Sequence, residues 1–271
     1  MTIACKVIGE YAQHITCQLD AGQSMFADAT KFRWKTTNVS LETRLSTPGG
    51  QADADTKAAK ESGGAGGFLK AALSTATEVG KRMLSGQSLA FQWFTPQGGS
   101  GLVTFAGELP GQVRVVELDG TTTGWRAESR AFVCAESTVN YDISFAGLTT
   151  GFRAKDGYIF EHFTGTGTVV LGGGGSLLEL NPADYGGKIQ VHGGALVAFS
   201  DAVAFNVERI GAFNAQTVMT AVFGGSGLNL ISLSGDGPVI LQSTLHKEFE
   251  DEEKQDASMA NSARQGLLGR F

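Results

Sequence analysis

In the stretch HGGALVAFSD (192–201), His192, Ser200 and Asp201 supply a base, a hydroxyl and a carboxylate, the three groups that nucleophilic catalysis combines. Such a serine must be exposed on a strained turn, and the chain lacks the G-x-S-x-G elbow that provides one. A second chemistry is metal binding. The histidines are His14, His162, His192 and His246, and no two stand in the H-x-H spacing used by cupin-type barrels. Glu161 and His162 are neighbours, so on a strand their side chains face opposite sides and do not share one ion easily. The glycine run GTGTVVLGGGG (165–175) contains neither a dinucleotide nor a P-loop pattern and reads as turn glycines. No catalytic residue, metal ligand or cofactor is expected from these motifs. A metal-dependent enzyme assembled from distant residues stays open as a third reading.

The elements that must position these residues are strands. Short apolar runs, many with period-2 alternation, lie between the 38 glycines of the 271-residue chain, and prolines number only 5. The predicted class is all-β. Three segments open alike, from His14, Val113 and Ser176, turning after Leu19, Leu118 and Leu180. A second family interleaves with them: SLAFQWFTPQGGSGLVTFAG, GYIFEHFTGTGTVVLGG and GLNLISLSGDGPVILQS. Each of these reads as a β-hairpin, a strand running into a glycine-rich turn and a second strand. Their landmarks Phe94, Phe163 and Leu233 are separated by 69 and then 70 positions. One domain, 1–245, built of three tandem repeats (about 1–110, 111–174 and 175–245) is therefore predicted. Trp34, Trp93 and Trp125 lie in strand patterns, where aromatic residues fill a core or a subunit contact.

Two segments stand outside the repeats. Residues 46–84 form an insertion whose first half has linker composition. Its second half predicts one short amphipathic helix, with Phe68, Leu69, Leu73 and Met83 beside Lys70, Lys81 and Arg82. These seven residues are the candidate membrane or partner contact, the alternative being that the helix packs on the protein's own sheet. Residues 246–271 are an acidic, solvated tail.

The net charge of −6 argues against nucleic acid as a partner, because phosphates require a basic face. Cys5, Cys17 and Cys134 are odd in number and form no CxxC pair, so no disulfide framework is predicted and a reducing cytoplasm fits. No stretch reaches the length of a membrane span. The expected location is cytoplasmic, peripheral to the inner face of the membrane if the 68–84 segment docks there. Open strand ends predict a homo-oligomer, a trimer first.

The segments GGFLKAALSTATEVGKRMLSGQSLAFQWFTPQGGSGLVTFAGELPGQVRVVELDG and GTGTVVLGGGGSLLELNPADYGGKIQVHGGALVAFSDAVAFNVERIGAF resemble the altered-inheritance-of-mitochondria protein 24 family. The likeness extends over most of residues 1–243, and SGQSLAFQWFT, LPG, GTGTV and GGALVAFSD carry it. It implies repeated β-sandwich or β-helix-like units similar to the tryptophan RNA-binding attenuation protein, ring-like association, no catalytic residues, and a link to inner-membrane organisation. The long 47–67 stretch and the acidic tail depart from the family pattern. The resulting expectation is a non-enzymatic oligomeric β-scaffold that organises partners, with a small-ligand module, its pocket between repeats or subunits, as the alternative.

Overall fold

Valine, phenylalanine and leucine on alternate positions suit a pleated surface with one face buried, and glycines between them release the chain into the next strand. The computed structural model describes residues 3–44, 91–121, 124–146, 158–209 and 229–244, and these residues hold eighteen strands, three short 3-10 turns and no α-helix. The all-β class stands. The insertion at 46–84, its predicted helix with Phe68, Leu69, Lys70, Leu73, Lys81, Arg82 and Met83, and the tail at 246–271 lie outside the described residues.

The strands fall into three groups along the chain. After a leading strand β1 (Ala4–Ile8), the first group is β2 (His14–Leu19), β3 (Met25–Asp28), β4 (Phe32–Lys35), β5 (Val39–Arg44), β6 (Phe91–Pro96) and β7 (Gly101–Ala106). The second is β8 (Val113–Asp119), β9 (Trp125–Glu128), β10 (Phe132–Glu136), β11 (Val139–Ala146) and the long β12 (Tyr158–Gly172). The third is β13 (Leu177–Leu180), β14 (Lys188–Val191), β15 (Leu196–Ser200), β16 (Val203–Arg209), β17 (Asn229–Gly235) and β18 (Val239–Gln242).

Among the described residues the strands pair antiparallel and follow one plan. In the first group β7 lies between β2 and β4, while β6 lies between β3 and β5. In the second, the C-terminal half of β12 pairs with β8 and β10, and its N-terminal half with β9 and β11. In the third, β18 lies between β13 and β15, and β17 between β14 and β16. Even the irregularities correspond: the register shifts between Phe32 and Trp34, between Phe132 and Cys134, and between Leu196 and Ala198. Strand pairs β3·β10 and β9·β15 join the groups.

This plan corrects the predicted hairpins. The two strands of each closing segment do not pair with each other; β6 and β7, the halves of β12, and β17 and β18 each join different partners. In the second group there is no turn at all, since Tyr158–Gly172 is one continuous strand. Gly165 (φ +91°) and Gly167 (φ +134°) let it pass between two sheets, a backbone that side chains with a Cβ adopt only under strain. A glycine-rich break between apolar runs reports a change of direction. It does not report which strand receives the hydrogen bonds.

Three apolar clusters fill the interior. The largest surrounds Phe26, Phe132, Tyr141 and Phe163, a second holds Ile15, Leu19, Phe94 and Phe105, and a third holds Phe160, Phe199, Val203 and Leu233. Each fully buried ring removes enough apolar surface from water to contribute about 1.5–3 kcal/mol.

The cysteines also correct an expectation. Cys5 and Cys17 face each other across β1 and β2, with Cα atoms 4.1 Å apart, and form a disulfide, while Cys134 is buried and free. An odd count says nothing about two cysteines that register places opposite one another, so the cysteine number no longer argues for a reducing compartment. Reduction is expected to lower stability by about 2–3 kcal/mol, because the bond closes a loop of moderate length. Urea titration with and without dithiothreitol measures this; coincident curves contradict it.

Candidate functional site

The three residues of the HGGALVAFSD stretch serve three separate structural tasks. His192 caps the 3-10 turn Gly193–Ala195, its Nδ1 accepting the Gly194 N–H at 3.1 Å. Ser200 ends β15, a strand buried along its whole length, and is itself 3% exposed. Its hydroxyl packs on Gly237, where an added methyl carbon would lie 2.4 Å away. A nucleophile so enclosed cannot meet a substrate. Asp201 turns away from His192: its Oδ2 lies 2.8 Å from Nε2 of His162, and its Oδ1 forms an ion-pair contact with Arg126 at 3.1 Å. The acid thus ties β9 and β12 to the end of β15.

On the other side of β12, Glu161 is 3% exposed and accepts the Tyr141 hydroxyl at 3.0 Å. Burial raises its carboxyl well above the usual range, the nearby Glu128 and Asp28 push the same way, and Tyr141 and Lys31 oppose them. The folded chain therefore holds a proton that the unfolded chain loses as pH rises. The stability tied to this group is complete below the unfolded pKa and declines as pH climbs toward the folded one. Glu161→Gln keeps an acceptor for Tyr141 but carries no ionisation. Its stability relative to the native chain is expected to increase between about pH 4 and about pH 8. Urea titrations at the two pH values test the sign, and a pH-independent difference contradicts it.

A second acid site went unnoticed in the sequence. Glu136, 7% exposed, accepts the Ile3 N–H and the Thr168 hydroxyl, each at 2.8 Å, and the same hydroxyl is 3.2 Å from both Glu117 oxygens. Burial raises the Glu117 carboxyl; the Thr168 hydroxyl counteracts this and the Glu136 charge reinforces it. Through Ile3 and Thr168, Glu136 fastens the start of the chain to β12. Among the described residues no group of three or more His, Cys, Asp and Glu side chains could hold a metal ion.

Among the described residues, a groove opens at the end of the first sheet. The groove, of about 420 Å³, is lined by His14, Arg33, Trp34, Glu108, Leu109 and Pro110. Lys31, 3% exposed, meets Glu108 at 2.8 Å beneath it. Arg33 donates to the carbonyls of Thr30 and Gly107, which holds its guanidinium against backbone and leaves Trp34 46% exposed. The sequence pattern predicts Trp34 in a core or a subunit contact, and its exposure removes the core of this chain from that choice. A legible signal was available: β4 reads FRWK where the corresponding β10 and β15 read FVCA and LVAF. Cations at alternate positions mark a strand whose edge meets water. The candidate contacts between Phe68 and Met83 lie outside the described residues.

The sequence profile described as mitochondrial biogenesis AIM24 matches residues 5–244, and the chain belongs to that family. A crystal structure of a Streptococcus pyogenes protein is similar, with a TM-score of 0.65 and 19% identity, over 93% of this chain and 99% of that one. At such identity the likeness shows a shared fold. No curated protein matches the chain. Among the described residues no helix is long and apolar enough to cross a membrane.

Proposed function

We propose that the chain is a non-enzymatic, oligomeric β-scaffold made of three copies of one β-unit, each similar to the tryptophan RNA-binding attenuation protein, that organises partners. The observation that carries this reading is that, among the described residues, β4 and β14 each end one of the two smaller sheets with one edge unpaired. Unpaired backbone N–H and C=O groups along a strand are a template for another strand, and a second copy of the chain can supply one. Supporting it, His192, Ser200 and Asp201 are committed to a turn, a core and an ion pair. Light scattering at micromolar concentration tests the oligomer, with a trimer expected first; a monomer overturns it.

In this reading the scaffold is cytoplasmic and touches the inner face of the membrane through residues 68–84 or the tail. Deleting residues 47–84 should abolish co-sedimentation with anionic liposomes if the contact is 68–84; unchanged sedimentation removes that contact, and no sedimentation of the intact protein removes the membrane part. The groove beside Trp34 favours a second reading, a small-ligand module, since an exposed indole between polar side chains suits a planar guest. Native mass spectrometry of freshly purified protein separates the two. A retained small molecule supports the ligand module, and a clean apo mass over several preparations counts against it.

A further inference from the structure

The three groups are joined in series by one kind of contact, and the series is unfinished at both ends. Between the first and second groups, β10 pairs with β3 through Cys134↔Ala27, Ala135↔Phe26 and Glu136↔Met25. Between the second and third, β15 pairs with β9 through Ala198↔Ala127, Phe199↔Arg126 and Ser200↔Trp125. The shared bulges make Trp34, Cys134 and Ala198 corresponding residues. On the other strand of the contact, Met25, Trp125 and Ile189 correspond, because they oppose Phe94, Phe163 and Leu233 respectively. Both joints therefore use one register. What is left over is β4 at the start of the series and β14 at its end.

Burial shows what the missing contact would supply. β10 and β15 are buried at all five positions because a strand from the neighbouring group covers their outer edge. β4 has no such neighbour among the described residues, and its Trp34 is 46% exposed. β14 likewise pairs only with β17 among the described residues.

We infer that β4 of one copy of this chain pairs antiparallel with β14 of a second copy, in the register Trp34↔Val191, Lys35↔Gln190 and Thr36↔Ile189. The inference rests on the oligomeric reading and adds its interface. No two like charges stand directly opposite in this register, which would be destabilising. Where the internal joints place Cys134 on Ala27 and Ala198 on Ala127, the joint between copies places an indole on a valine, so its packing is bulkier than theirs. The contact is head-to-tail, because the two edges are different surfaces of the molecule. Repeated, it closes into a ring or continues as a filament.

Disulfide trapping of the full chain tests it. Lys35→Cys and Gln190→Cys, co-expressed on differently tagged chains, should form an intermolecular 35–190 bond under mild oxidation, as directly opposed cysteines do at Cys5 and Cys17. Lys35→Cys with Lys188→Cys, two residues out of register, should cross-link about tenfold less, since bridging requires close Cα atoms. Neither Lys35→Cys nor Gln190→Cys alone should dimerise through its new thiol. Trp34→Glu should shift the mass by light scattering to that of a monomer, with an unchanged far-ultraviolet circular dichroism spectrum. An oligomeric native chain whose 35–190 pair stays uncross-linked overturns this interface and leaves the oligomer standing. A monomeric native chain overturns both.

Discussion

Phe132→Ala is expected to lower the free energy of unfolding by about 3–5 kcal/mol, the range for deleting a buried phenylalanine ring. Phe132 is 2% exposed and stands at the meeting of two strand groups. Its ring centroid lies 5.5 Å from Phe26 and 6.0 Å from Phe91 on the first group, and 6.0 Å from Tyr141 and 5.2 Å from Phe163 on the second. β10, which carries it, pairs with β3 on one side and β12 on the other, so the neighbouring backbones cannot close over the void without breaking a ladder. Both the transfer term and the cavity term are therefore large. For a fold whose whole stability is about 5–15 kcal/mol, the variant should be partly unfolded at physiological temperature. Urea titration reads the effect as a lower midpoint. A loss below about 1 kcal/mol would mean that this aromatic cluster does not tie the groups together.

Gly111→Ala comes next, with an expected loss of about 3 kcal/mol or more, at or beyond the upper end of the overpacking range. A methyl carbon there would lie 2.0 Å from the Gly173 carbonyl oxygen and 2.5 Å from the Gly175 nitrogen. Both are backbone atoms, so no side chain can rotate out of the way. They cannot retreat cheaply either. The Gln13 N–H donates to the Gly111 carbonyl at 2.8 Å, Gln112 donates to Gly175 at 2.9 Å, and Gly175 donates to Pro110 at 2.9 Å. These bonds lace together the entrances to β2, β8 and β13. Gly107→Ala is the control, because its methyl would meet only atoms at 3.6 and 3.7 Å and should change stability by about 0.5 kcal/mol or less. Equal effects at the two positions would show that the close approach at Gly111 is relieved by small shifts and does not set its cost.

The glycine run that ends β12 takes its meaning from the same crowding. An added Cβ would lie 3.2 Å from the Gly107 Cα at Gly172, and 2.5 Å from a Leu177 methyl and 3.1 Å from a Val197 methyl at Gly173, so the chain is closely packed there. Of Gly172 to Gly175 only Gly175 has a positive φ, at +68°. Gly172, Gly173 and Gly174 therefore lie where segments pack closely, where the sequence pattern suggests turns.

Much about this chain was determined by sequence alone. Alternating apolar residues and scattered glycines specify strands because each strand must bury one face, a requirement that acts residue by residue. The landmarks Phe94, Phe163 and Leu233 are each buried on a strand, β6, β12 and β17, for the same reason. The contrast of FRWK with FVCA and LVAF carried the exposure of β4 in its charges. Only the tertiary structure decided which strand each one pairs with, that Cys5 meets Cys17, and that Asp201 reaches His162 and Arg126 in place of His192. A strand's own residues state which face is buried. Its backbone offers the same N–H and C=O groups to any neighbour, so the choice among neighbours is made by how the whole chain packs.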